Sequence, residues 1–250
     1  MLSVELIIFV VFVYILAGFV KGVVGVGLPT ISLAMLATVL GLKEAMLVLL
    51  APSLITNLAQ ALAGGRLYDL TKRFWVFLVS LFLLTWFSTG VLVVADGNLL
   101  KIGLGIILLL YCFSYFSQLK IPRTGINEKW LSPLMGGLTG VSTGLTGTFV
   151  VPGTLYLQRM LPNQNALVQA LGLSGSVATI SLGVSLGGRG VLSNELLSIS
   201  GAMIIPALMG MAFGNIVRSK IDEVLFRKLF FISLSVIGIW IVISAVINLK

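Results

Sequence analysis

AGFVKGVVGVGLPTIS, residues 17–32, lays a lysine, four glycines and a proline into a run that is otherwise apolar. Gly18, Gly22, Gly25 and Gly27 cost a helix backbone entropy, and Pro29 removes a backbone donor. A chain that interrupts itself here either packs something against the interruption or uses it, and Lys21 stands beside it.

The surroundings set the class. Of the 250 residues 58% are hydrophobic and only 10% are charged, against about 25% charged in soluble domains. Several apolar runs reach the roughly 20 residues that a helix needs to cross a hydrocarbon core of about 30 Å. The expected fold is therefore all-α, a polytopic integral membrane protein with the lipid bilayer as its first partner. There is no histidine, and the single cysteine, Cys112, lies in the apolar run 106–116 as a packing residue. That removes disulfides, Cys/His zinc sites and histidine acid–base catalysis, so no catalytic residue, metal or cofactor is expected. The net charge of +8 comes from basic residues lying mostly between apolar runs. Membrane topology explains them, and nucleic acid is not an expected partner. Glu5 precedes the first run without a basic segment, so a cleaved signal peptide is not expected.

The glycine pattern recurs. Residues 18–25, GFVKGVVG, and residues 140–147, GVSTGLTG, share the spacing G-x-x-x-G-x-x-G at an offset of 122, and each precedes a proline, Pro29 or Pro152. Further along, Gly64-Gly65-Arg66 matches Gly187-Gly188-Arg189 at an offset of 123, Gly90 matches Gly214 at 124, and Asp96 matches Asp222 at 126. Four matches in order with a slowly drifting offset indicate a duplication, with halves 1–125 and 126–250.

Each half divides into five apolar segments: 2–20, 28–40, 45–63, 74–95 and 99–118, then 131–146, 149–160, 166–186, 195–217 and 224–249. The second segment of each half, about 13 residues, spans only some 20 Å as a helix. The first two segments therefore read as a broken helical hairpin, followed by three transmembrane helices. An odd number of passes per half makes the halves inverted repeats and puts both termini on the non-cytoplasmic side. Lys21, Arg66, Lys72, Arg73, Lys120, Arg123, Lys129, Arg159, Arg218, Lys220, Arg227 and Lys228 then face the cytoplasm, against Lys43, Lys101, Arg189 and Lys250 outside. This is the asymmetry of the positive-inside rule, and an even number of passes loses it.

Inside lipid, an interrupted helix survives only where protein or a water-filled cavity satisfies its freed backbone groups. Short Gly/Pro-broken segments at matching places in two halves point to a transporter with a site near the midplane. Pro29 suits the first turn of a returning half-helix. The amides of residues 28–31 and 148–154 carry positive partial charge, and two such ends converging would attract an anion. The same glycines also fit the small-xxx-small pattern of helix packing, and both uses can hold at once. No strand precedes the glycines and no Walker lysine–Ser/Thr pair follows, so a nucleotide loop is excluded.

Lys21 has two readings. At the end of a full helix its side chain snorkels to the cytoplasmic interface, which the uncharged counterpart Thr143 favours. In a buried hairpin tip it is a cation facing the site. Ser53, Thr56, Asn57 and Gln60 share one helical face, with Gln169, Ser174, Ser176, Thr179 and Ser181 in the other half. They serve either interhelical hydrogen bonds or an oxyanion site. Glu5, Glu44, Asp69, Asp96, Glu128, Glu195, Asp222 and Glu223 all fall near segment ends or in loops, so no cation pathway built on buried carboxylates is expected.

The doubled glycine-rich hairpin with its following proline, over essentially the whole chain, resembles the TauE/SafE family, also called the 4-toluene sulfonate uptake permease family. Where members show G-x-G-G-G at the hairpin tip, this chain has Gly25-Val26-Gly27-Leu28 and Gly147-Thr148-Phe149. The resemblance implies a multi-pass transporter of a prokaryotic plasma (inner) membrane, moving a small anion such as sulfite or a sulfonate. The expected site comprises Lys21, Gly22, Gly25, Gly27, Pro29, Thr30 and Asn57 from the first half, with Gly144, Gly147, Thr148, Pro152 and Ser174 from the second. Hairpin amides hold the anion, the side chains add hydrogen bonds, and part of the bundle moves to alternate access. An anion channel and a non-transporting assembly partner are the alternatives; coupling ion and oligomeric state are open.

Overall fold

The computed structural model describes residues 3–118, 128–218 and 220–247, and among these the apolar runs form eleven helices and no strand. In chain order they are α1 Val4–Val24, α2 Leu28–Leu36, α3 Leu42–Leu62, α4 Leu67–Val94, α5 Gly97–Phe116, α6 Glu128–Thr146, α7 Gly153–Met160, α8 Gln164–Gly188, α9 Asn194–Ala202, α10 Ile204–Val217 and α11 Glu223–Ile247. Among the described residues seven stretches are long and apolar enough to cross a bilayer: α1, α3, α4, α5, α8, α9 with α10, and α11. The protein is thus an all-helical, polytopic membrane protein. The boundary expected at 125, and Lys120, Arg123 and Lys250 of the charge count, lie outside the described residues.

The interruption falls later than expected. The first helix runs past Val20, through Lys21 and Gly22, and ends where Gly25 turns to φ +89° and its N–H bonds the Lys21 carbonyl at 2.7 Å. A left-handed residue closes the helix there, and glycine adopts that conformation without a Cβ clash. Gly27, at φ +123°, turns the chain back, and Pro29 lies in the first turn of α2. In the other half Gly147, at φ +75°, ends α6 in the same way, but α7 begins only at Gly153 rather than 149. The fourth run of the second half is divided at Met203 into α9 and α10. Pro206 has no N–H for the carbonyl of Ala202, so a continuous helix would leave that group without its intrahelical donor.

Glycine decides which helices touch. A Cβ on Gly18 or Gly22 would strike the backbone of α10 at Ala207 or Met211, and one on Gly136, Gly140 or Gly144 would strike α4 at Phe77, Leu81 or Thr85. The contact numbers rise together, so α1 runs parallel to α10 and α6 parallel to α4. Both seams are the backbone-to-backbone packing that small residues allow in lipid. Between them α3 and α8 pack antiparallel: Ser53 meets Thr179, and Ala61 meets Gln169. The last helices, α5 and α11, are also antiparallel, Gly105 against Val242 and Gly238 against Leu109. Asp96 and Asp222 cap α5 and α11 alike, each carboxylate accepting from the amides two and three residues on. That shared capping explains their matched positions in sequence.

A Cβ at Gly140 would lie 2.7 Å from the Leu81 carbonyl oxygen, whereas one at Gly137 meets only the Leu84 side chain at 3.7 Å. Gly140→Val is therefore expected to cost about 1–3 kcal/mol by overpacking, and Gly137→Ala almost nothing. Thermal melts of the detergent-solubilised protein check this; equal melting temperatures would contradict the seam.

Candidate functional site

The face of α3 that carries Ser53, Thr56, Asn57 and Gln60 turns toward the end of α1. Lys21, in the last turn of α1, is 3% exposed, and its ammonium donates to Thr56 Oγ1 at 3.1 Å and to Asn57 Oδ1. This corrects the snorkelling expectation: the charge turns inward, onto a polar face, rather than out to the interface. Thr56 can accept because its own hydroxyl proton goes to the Pro52 carbonyl at 2.7 Å. Asn57 passes the chain on, its Nδ2 donating to Ser53 Oγ at 3.2 Å, and Ser53 meets Thr179 Oγ1 at 3.1 Å. One turn further, Gln60 Nε2 donates to the Gly25 carbonyl at 2.6 Å and ties the hairpin tip to α3.

Both acceptors of Lys21 are neutral oxygens, and no carboxylate pairs with it among the described residues. Every acidic side chain whose exposure is described is exposed. An unpaired charge in a low-dielectric interior is costly, and neutral hydrogen bonds offset only part of that. The ammonium is left with attraction to spare for an anion.

A cavity of about 460 Å³ opens beside it, between the ends of α3 and α10 and the start of α8. Lys21, Gly22, Gly25 and Gln169 form its buried wall, and Gly64, Asn165 and Asn215 its exposed rim. Arg218 adds a second cation, Gln60 an amide, and no acidic residue lines the space. Gln169 is committed elsewhere, donating to the Ala61 carbonyl at 2.7 Å and accepting from the Arg66 amide at 3.2 Å.

The remaining expected site residues lie apart from this cavity. Thr30 spends its hydroxyl on the Gly27 carbonyl at 2.8 Å, inside the hairpin turn that Gly27 and Pro29 make. Ser174 bonds back to Ala170 in its own helix at 2.8 Å. Gly144 sits in the seam with α4, and Gly147 faces Leu33 and Met46. Thr148 pairs its hydroxyl with Thr146 at 3.0 Å, and Pro152 caps the start of α7. The two tips do share a cavity, of about 490 Å³, lined by Val24 and Val26 of the first and by Val150 and Val151 of the second, although the turning glycines themselves stand apart. Gly25 lies against Gln60 and Gly147 against Met46, fourteen residues apart on α3, or about 21 Å of helix. What reaches the centre from the second hairpin is the Phe149 ring, which meets Gly175 of α8 beside the Asn57 amide.

Sequence reasoning missed Arg218, Asn165 and Asn215 as lining residues. Arg218 had counted only toward topology, and polar residues near helix ends carry no signal of which cavity they will face. Replacing Asn57 by Leu would strip the ammonium of a buried acceptor, an expected loss of about 1.5–3 kcal/mol. Adding Lys21→Met should recover most of it, because the stranded charge is then gone. A double-mutant cycle of thermal melts checks this; simple additivity would refute the pairing.

Comparison with known proteins adds one match. The family described as sulfite exporter TauE/SafE matches residues 10–241, nearly the whole helical bundle. No curated protein and no solved structure matches the chain.

Proposed function

The chain belongs to the sulfite exporter TauE/SafE family, whose members are membrane transporters, and on that premise we propose that it is a secondary carrier of a small sulfur or organic oxyanion held against Lys21. The observation that carries the reading is the buried ammonium with only neutral partners, at the wall of a cavity free of acidic residues. A cation substrate would be repelled by Lys21 and Arg218 together. An oxyanion would accept charge-assisted hydrogen bonds from the ammonium, which are shorter and stronger than neutral ones.

The packing supports a moving scheme. The antiparallel pair α3 and α8 stands where two inverted repeats, 1–125 and 126–250, would place equivalent helices. The glycine seams join α1 to α10 and α6 to α4 through backbone contacts, so each pair would travel as a unit. We propose that these pairs rock against α3 and α8 to expose the anion alternately to the two sides. The cavity rim lies at the end that gathers Arg66, Lys72, Arg73, Lys129 and Arg218, the cytoplasmic end by the positive-inside rule.

Uptake of radiolabelled sulfite and of a short alkyl sulfonate into proteoliposomes tests the carrier. The expected outcome is saturable uptake with counterflow, and a loss of apparent affinity of about tenfold or more in Lys21→Gln, the worth of one charged hydrogen bond. Unchanged affinity in that variant would remove Lys21 from the site, and large single-channel conductance without counterflow would make the protein a channel. Gly25→Val should insert normally yet lose transport, since a Cβ there meets Val168 at 3.0 Å on a backbone at φ +89°.

A further inference from the structure

Just past the end of α8, Arg189 turns its half-buried side chain back onto α4. The guanidinium donates to the Ser185 carbonyl at 3.0 Å, to Ser185 Oγ and, across to the other helix, to the Trp86 carbonyl at 3.2 Å. It lies 5.9 Å from the centre of the Trp86 ring, within reach of a cation–π attraction. Gly90 makes room for it, since a Cβ there would stand 2.9 Å from a guanidinium nitrogen.

Toward the middle of the two helices the contact continues as a ladder. Ser185 Oγ donates to the same Trp86 carbonyl at 2.9 Å, and Ser181 Oγ to the Phe82 carbonyl at 2.6 Å, so both helices advance four residues per rung. Both serines are fully buried. Arg189 is the last rung, at the end where α4 and α8 both finish, whereas the Lys21 cavity borders the start of α8. By the positive-inside rule the ladder stands at the outer end.

The ladder is one-sided. The glycine seams share one register: Gly140 meets Leu81 and Gly144 meets Thr85 as Gly18 meets Ala207 and Gly22 meets Met211. That register puts Ala212 in the place of Trp86 and Ile216 in the place of Gly90. The Gly-Gly-Arg match puts Leu58 and Leu62 in the places of Ser181 and Ser185, and Arg66 in that of Arg189. Arg66 is exposed. Between α10 and the chain just past α3 the Lys21 cavity opens, with Gly64 on one side and Met211 and Asn215 on the other. Packing that the fold itself required would recur at both ends; this contact fastens one.

We infer that Arg189, with Ser181 and Ser185, is the latch that holds the outer end of the bundle shut while the Lys21 cavity is open to the other side. The inference rests on the reading that this protein is a carrier with alternating access. When the α4–α6 pair rocks away from α8, the carbonyls of Phe82 and Trp86 must leave these three side chains. Hydrogen bonds from a charged donor outweigh neutral ones, so Arg189 sets how often the outer end opens. In the opposite state the gap between α3 and α10 closes.

The reactivity of two engineered thiols in the full-length protein, in nanodiscs and with the buried Cys112 replaced by serine, tests the latch. Ser181→Cys lies behind Arg189, and Val168→Cys lines the Lys21 cavity. With a water-soluble maleimide, Val168→Cys is expected to react readily and Ser181→Cys slowly. Arg189→Gln should speed Ser181→Cys labelling about tenfold or more and slow that of Val168→Cys, because opening one end closes the other. Gly90→Ala, which crowds the guanidinium, should shift both rates the same way by less; size-exclusion profiles confirm that each variant folds. Local loosening alone would speed the first thiol and leave the second unchanged, which overturns the latch. If both thiols respond while proteoliposomes carry no anion, the anion-carrier reading falls and the latch stands. If sulfite is carried with counterflow but Ser181→Cys labelling does not depend on Arg189, the latch is overturned and the carrier stands.

Discussion

The structure is organised around one buried ammonium that meets no carboxylate among the described residues. Lys21 is carried inward by the last turn of α1, and only the polar face of α3 makes that tolerable. Thr56 and Asn57 supply the acceptors, and Asn57 is steadied through Ser53 by Thr179 of α8. A lysine at this place in a purely apolar bundle would be driven to the interface. Here the helix pair α3–α8 acts as a polar rib that holds the cation inside the bundle.

The same rib also fastens the first hairpin tip and the segment that follows α3. Gln60 fastens the tip of the first hairpin, Gln169 satisfies the end of α3, and the amide of Ala51, just before Pro52, is taken by Ser200 of α9 at 2.9 Å. Hydrogen bonds of this kind in lipid do not compete with water, but each is individually modest. Their value lies in direction: they set where the tip stands, and the tip is the wall between the two cavities.

Much of this was legible in the residues. The glycine spacing gave away both hairpins, because a left-handed turn and a backbone-to-backbone seam both exclude a side chain. Asp96 and Asp222 matched because they perform one task, capping the last helix of each half. Lys21 kept two readings in the sequence because its partners lie 35 and 36 residues away on another helix, and because Thr143 was a poor guide. Thr143 settles its needs locally, bonding to the Thr139 carbonyl at 2.7 Å, so the two positions matched by the glycine spacing behave differently. The division at Met203 had only Pro206 to announce it, while Pro52 sits inside a helix that continues. The places of Gly25 and Gly147 could not be read at all, since they depend on how far each hairpin slides along α3.

The glycine seams have a consequence for how such a chain is made. The first helix of each half finds its close neighbour in the fourth run of the opposite half, so the halves are interlaced rather than stacked. When α1 leaves the ribosome, the groove that fits it does not yet exist, and it stays unmatched until α10 is synthesised nearly two hundred residues later. Neither half can mature as an independent unit. Assembly is concluded by the carboxyl-terminal portion, and a truncation there strands the beginning of the protein as surely as its end.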